Sequence, residues 1–179
     1  MNKILLGIGF LMYLLLPALA QIDNGATMNA VGKYKPLESQ KNALQYLSYI
    51  SEHIHEGTLG SDIPLNMTKE DVQNKYGIKD EEITSATWNT SYFDRNGYRY
   101  YLQKHKGKQL LLTISVQFEP LTKEQIFEIF GNKPYLNSNA LNQMVYKFDD
   151  YSIMITNTDP KIRGVYNLIL LSSGPPKEN

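Results

Sequence analysis

Two short segments of this chain are nearly the same, and their repetition constrains the fold more than any other feature. The first runs from Met67 to Gly77 and the second from Leu121 to Gly131. In each, an apolar residue precedes Thr, and Asp71 or Gln125 follows three positions after that Thr, the pattern of a capping box with a hydrophobic staple. The closing Gly predicts the helix end. The sequence therefore predicts a duplicated supersecondary unit.

Three strand-like runs follow each predicted helix. They are Ser85–Phe93, Tyr98–Lys104 and Leu110–Phe118 in the first half, and Met144–Phe148, Tyr151–Thr156 and Val165–Ser172 in the second. Asn96-Gly97 between aromatic runs is a strong hairpin signal. We therefore predict an α+β fold. Two tandem helix-plus-three-strand repeats, 66–118 and 120–172, form an antiparallel sheet with the helices on one face.

The first twenty residues have the features of a signal peptide. Lys3 supplies a positive charge, residues 4–16 are almost all apolar, and Ala18-Leu19-Ala20 places small residues at the cleavage site. An uncleaved membrane anchor is the alternative. The chain has no cysteine, which excludes disulfides and a lipid-modified cysteine. We expect a secreted, extracellular protein, from a bacterium and in particular a Gram-positive one.

The rest of the chain divides around the predicted repeats. Residues 21–36 are expected to be a flexible leader, and 173–179 a frayed tail. Residues 37–56 have apolar positions at helical spacing and predict an amphipathic helix. We expect 37–172 to form a single domain.

Charge and motifs favour no catalytic class. The chain has 18 basic and 18 acidic residues, which gives no support for nucleic acid or an anionic membrane as a partner. It contains no Gly-x-Ser-x-Gly elbow or phosphate loop. His53 and His55 lack the spacing of a helical metal pair, and His105 lies in a lysine-rich turn, so solvated histidines are favoured over metal ligands. We expect no enzyme activity, cofactor or metal.

Aromatic and apolar residues suggest a binding surface on the sheet. In Leu110–Phe118 the even-numbered positions are the predicted core, and the same register assigns Val165, Ile169 and Leu171 to the core. The opposite face is then predicted to carry five candidate binding residues: Arg99, Tyr101, Tyr166, Leu168 and Leu170. Tyr and Arg are favoured in protein interfaces. The alternative is that the helix at 37–56 covers this face.

The arrangement of these motifs resembles the YjgB-like secreted proteins of Gram-positive spore-formers, over roughly Leu37 to Ser172. The motifs that carry the resemblance are Thr-Lys-Glu-Asp-Val with Tyr76-Gly77, and Leu-Thr-Lys-Glu-Gln-Ile with Phe130-Gly131. The chain departs from the family in the first unit. No proline follows Gly77 in the way that Pro134 follows Gly131 in the second unit. The family has no established function. The outline is also similar to β-lactamase inhibitor proteins and to BamE-like repeats, which bind other proteins.

The function expected from the sequence is non-catalytic binding. The partner would be an extracellular protein or a cell-envelope component, and the sheet face would make the contact. A secreted hydrolase with an unrecognised site is one alternative. A structural protein of the envelope or spore is another.

Export gives a direct test of the first twenty residues. Cleavage after Ala20 should leave an extracellular protein that begins at Gln21, because that bond follows the small-residue site. Intact-mass analysis of the culture supernatant measures this end. A protein recovered only with membranes and still carrying Met1 would contradict the prediction.

Overall fold

The computed structural model describes residues 41–159 and 161–174. The predicted signal peptide and leader lie outside this range, as do residues 37–40 of the predicted first helix and 175–179 of the predicted tail. Within the described residues, no helix is both long enough and apolar enough to cross a membrane.

One antiparallel sheet of eight strands forms most of the described structure. Its strands are β1 (Thr84–Ser85), β2 (Thr90–Arg95), β3 (Tyr98–His105), β4 (Lys108–Thr122), β5 (Leu136–Ser138), β6 (Gln143–Lys147), β7 (Tyr151–Thr156) and β8 (Val165–Ser173). Across the sheet their order is β1-β2-β3-β4-β8-β7-β6-β5. The pairing of β4 with β8 joins the two halves of the chain.

The described residues contain three short α-helices: α1 (Ala43–Glu52), α2 (Lys69–Tyr76) and α3 (Lys123–Phe130). All three pack against β4, and α1 also packs against α3. One-turn 3-10 helices lie at Ile54–Glu56 and Asp80–Glu82.

The predicted fold class is wrong. The protein is a single large sheet with few helices, and not two helix-plus-three-strand repeats with helices on one face. The predicted strand Ser85–Phe93 is two strands, because a turn at residues 86–89 divides it into β1 and β2. The second half contains the additional strand β5. Continuous pairing through β4 and β8 then places both halves in one sheet.

The predicted starts of the two repeated helices are confirmed, and one of their two predicted ends is as well. Thr68 and Thr122 each accept a hydrogen bond from the third helical N–H, and Asp71 and Gln125 accept from the Thr N–H, so both capping boxes form. Gly77 ends α2 in the left-handed conformation, at φ 72° and ψ 23°. Gly131 has a positive φ of 86° but an extended ψ of 161°, so α3 ends without the predicted left-handed cap.

The core lies between the helices and one face of the sheet, hereafter the core face. It contains Leu47 and Ile50 from α1, Val72 from α2 and Ile126 from α3. On β3 and β4 it contains Tyr98, Tyr100, Leu102, Leu111, Ile114, Val116 and Phe118.

Leu110 and Leu112 are not in this core, contrary to the predicted alternation. The register between β3 and β4 shifts at Tyr101/Leu102, where Leu112 is the extra residue. Because an extra residue reverses the alternation of side chains, Leu111 takes the core position.

The capping box of α3 gives a stability test. Thr122→Ala should lower the free energy of unfolding by about 1 kcal/mol, because it removes the acceptor for the Gln125 N–H. Urea denaturation measures the difference. Thr122→Ser keeps the hydroxyl and is the matched control, so equal destabilisation by both substitutions would show that the cap is not the cause.

Candidate functional site

Four of the five residues predicted to bind lie on the face opposite the core, hereafter the opposite face. Arg99 on β3 is paired with Ser115 on β4, and Ser115 is paired with Leu170 on β8. Paired residues of an antiparallel sheet share a face. Tyr101 is paired with Thr113, and Leu168 is paired with Gln117. Thr113 and Gln117 lie two positions before and after Ser115 on β4, so they share its face.

Tyr166 does not lie on the opposite face, contrary to the prediction. It is 2% exposed and belongs to the core. The register between β4 and β8 is broken between Gln117 and Leu121, after which Leu121 is paired with Tyr166. Pro120 lies within this break and has no N–H to donate to a neighbouring strand. The alternation that predicted the position of Tyr166 therefore does not continue through this segment.

Arg99 is already engaged within the molecule. Its Nε and Nη2 atoms donate to the two carboxylate oxygens of Asp94, at 2.8 Å and 2.9 Å. The guanidinium also lies 4.3 Å from the centre of the Tyr92 ring. Tyr92 and Tyr101 are neighbours, with ring centres 6.2 Å apart. Burial raises the pKa of Tyr101, although its contacts with Arg99 and Ser115 oppose that effect. These groups form an internally paired polar cluster.

The centre of the opposite face is buried. Thr113 and Ser172 are 0% and 5% exposed, and their hydroxyls are joined by a 3.0 Å hydrogen bond. Leu170 is 2% exposed, whereas Leu168 is half-buried. The face is therefore not a broad exposed apolar surface.

The alternative, that the first helix covers the opposite face, is wrong for the described part of that helix. In α1, Leu47 and Ile50 belong to the core. The Tyr46 hydroxyl donates to the Leu59 carbonyl at 2.8 Å. The helix therefore packs on the core face.

The histidines show no arrangement for metal binding. His53 stacks on Tyr49 with ring centres 4.2 Å apart, and its Nδ1 lies 2.9 Å from the Tyr49 carbonyl oxygen. Among residues 41–159 and 161–174, no group of three His, Asp or Glu side chains could hold a metal ion.

Sequence reasoning missed Trp88. It is the only tryptophan in the chain and is 88% exposed, in the turn between β1 and β2. The predicted strand Ser85–Phe93 included it. Trp88 is flanked by the polar residues Thr87 and Asn89. Asn is common in turns, so this short polar segment could have indicated a turn.

The turn that carries Trp88 is held by several hydrogen bonds. The Ala86 and Thr87 N–H groups donate to the Thr90 carbonyl at 2.9 Å and 3.0 Å. The Thr87 hydroxyl accepts from the N–H groups of Asn89 and Thr90, at 3.3 Å and 3.1 Å. The backbone beside Trp88 is therefore tied in place on both sides.

A basic turn lies beside Trp88. We give this name to Lys104–Lys108, which joins β3 to β4 and contains Lys104, Lys106 and Lys108, all exposed. The Lys104 N–H donates to the Asn89 carbonyl at 2.8 Å, which links the two turns directly.

A cleft of about 540 Å³ lies near the other end of β4, where α3 begins. Lys123 and Arg163 line it together with Asn142, Gly164 and Tyr166. Burial raises the pKa of Tyr166, and the negative charge of Glu124 acts in the same direction. The cleft brings Tyr166, predicted as a binding residue for a different surface, next to two cations.

The fold was compared with solved structures. A similar structure is the crystal structure of a DUF4309 family protein (YjgB) from Bacillus subtilis subsp. subtilis str. 168, with 15% identity and a TM-score of 0.46. The match covers 76% of this chain and 99% of that chain. No protein-family model matches the chain, and no curated protein matches it.

This neighbour belongs to the YjgB-like group that the sequence motifs resemble. At this identity and TM-score it transfers no residue role and no function to the present chain. The neighbour also gives no support for secretion. It gives none for a similarity to β-lactamase inhibitor proteins or to BamE-like repeats.

The position of Tyr166 can be tested through stability. Tyr166→Ala should lower the free energy of unfolding by about 3 kcal/mol or more, because it empties a core site. Leu168→Ala, on the opposite face of the same strand, should cost about 1 kcal/mol. Urea denaturation of both variants measures the difference. Equal, small effects would place Tyr166 on the surface.

Proposed function

We propose that this protein is a secreted, non-catalytic binding protein that recognises another extracellular protein or a component of the cell envelope. The observation that carries the proposal is Trp88, a nearly fully exposed indole on a hydrogen-bonded turn. No observation on the described residues favours the alternatives of a hydrolase or a structural envelope protein.

An exposed tryptophan suits a binding anchor. Tryptophan is enriched among the few interface residues that contribute most to binding free energy, because its large ring buries much apolar area while its N–H can donate. Holding Trp88 on a turn with paired backbone groups limits the conformational entropy lost on binding.

The basic turn suggests the charge of the partner. The segment Lys104–Lys108 contains three lysines and no carboxylate, and its Lys104 N–H is bonded to the carbonyl of Asn89, the residue that follows Trp88. Complementary charge steers association and selects between partners. A protein with an acidic patch next to an apolar pocket is therefore the partner that we favour.

The opposite face is a second proposed contact surface. It contains neighbouring residues of β3 and β8, namely Arg99, Tyr101, Leu168 and Leu170. This surface offers less contact area than the sequence predicted, since Arg99 is paired with Asp94 and Leu170 is 2% exposed. Tyr166 is not part of it.

Trp88 supplies both the anchor and the probe. Because it is the only tryptophan, the intrinsic tryptophan fluorescence of the protein reports on this side chain alone. We expect emission typical of a hydrated indole in the free protein, and a blue shift when a partner captured from envelope or secreted fractions buries the ring. Trp88→Ala should weaken that binding by about 2 kcal/mol or more, with little change in stability.

Tyr135→Ala is the matched control, because Tyr135 is another exposed aromatic residue, at 55%. It should leave the affinity of the captured partner unchanged. Unaltered emission on binding, together with unchanged affinity of the Trp88 variant, would reject Trp88 as the anchor.

A further inference from the structure

The cleft at the start of α3 is separate from the surface proposed for partner binding. Its Tyr166 is paired with Leu121, near the end of β4, whereas the basic turn joins β4 at Lys108. The strand between them is 15 residues long, and a strand rises about 3.3 Å per residue. The two sites therefore lie near opposite ends of one long strand.

The charged residues that line the cleft are both cations. Lys123 and Arg163 line it, and no carboxylate does. Neither forms an ion pair with any residue in the described part of the chain. Because two cations line one concave site, an anion bound there would be stabilised. Lys123 Nζ also lies 5.4 Å from the centre of the Phe127 ring. The carboxylate of Glu124, which does not line the cleft but acts on Tyr166, opposes the attraction of an anion in part.

The walls of the cleft are held in place. Arg163 Nη1 donates to the carbonyls of Ala140 and Asn139, at 2.6 Å and 3.3 Å, which leaves other guanidinium N–H groups available to a ligand. Buried Asn142 donates from Nδ2 to the carbonyls of Ile162 and Val165, and its Oδ1 accepts from the Gly164 N–H. These bonds tie the two loops that form the rim.

Tyr166 offers a further donor. Its ring is fixed in the core, yet the residue lines the cleft, and its hydroxyl forms no hydrogen bond within the described residues. A tyrosine phenol is neutral at physiological pH and can donate a hydrogen bond. An arginine fork, a lysine ammonium and a phenol together match an oxyanion with several acceptor oxygens.

We propose that this cleft binds the phosphate group of a phosphate ester, with Arg163 and Lys123 neutralising its charge and the Tyr166 hydroxyl donating to an oxygen. A volume of about 540 Å³ accommodates the phosphate together with a small attached group. The same chemistry is present in a free phosphate ester and in a polyol-phosphate polymer of a cell wall. Trp88 takes no part in this site.

Calorimetric titration of the purified protein tests the site, with inorganic phosphate, glycerol 3-phosphate and a polyglycerol-phosphate oligomer as probes and glycerol as the uncharged control. We expect saturable binding of the phosphate compounds and none of glycerol. Arg163→Gln and Lys123→Gln should each weaken binding about tenfold or more, the usual contribution of a hydrogen bond to a charged group. Tyr166→Phe should weaken it several-fold while the melting temperature stays nearly unchanged.

Lys161→Gln is the matched control, because it removes a cation two residues from Arg163 that does not line the cleft. Absence of saturable phosphate binding, or equal weakening by Lys161→Gln, would overturn the proposal. If Arg163→Gln disturbs its loop, Lys123→Gln, which lies on α3, decides the question. If the oligomer binds more tightly than glycerol 3-phosphate, the ligand is the polymer. If the two bind equally, the ligand is a free phosphate ester.

Discussion

The pairing of β4 with both β3 and β8 is the interaction on which the rest of the structure depends. β4 is the longest described strand, it joins the two halves of the sheet, and all three described α-helices pack against it. Its side chains Leu111, Ile114 and Val116 lie at the centre of the core. A change that alters the register of β4 would therefore move side chains in both halves between the two faces.

Two irregularities in β4 decide which side chains are buried. The extra residue at Leu112 moves Leu111 into the core, and the break that contains Pro120 brings Tyr166 there. Irregularities of this kind commonly redirect side chains at the edges of functional sites. The second one turns Tyr166 away from the opposite face and lets it line the cleft beside Lys123 and Arg163.

Near the two ends of β4 lie surfaces with different chemistry. At one end Trp88 projects from a short turn next to lysines, and at the other a concave site carries two cations and a phenol. Trp88 is nearly fully exposed, and neither Lys123 nor Arg163 has an ionic partner among the described residues. These two surfaces are the ones that we propose as binding sites.

The sequence by itself determined the local elements. Three predicted local features form: the capping boxes at Thr68 and Thr122, and the hairpin turn at Asn96-Gly97. Each depends on side-chain and backbone groups that are only a few residues apart in the chain. Tertiary structure alone decided the single sheet and the burial of Tyr166. These depend on pairing between distant strands, and on breaks in register that alternation of apolar residues does not encode. The cleft likewise needs Lys123 and Arg163, forty residues apart in the chain, to be brought together by β4 and β8.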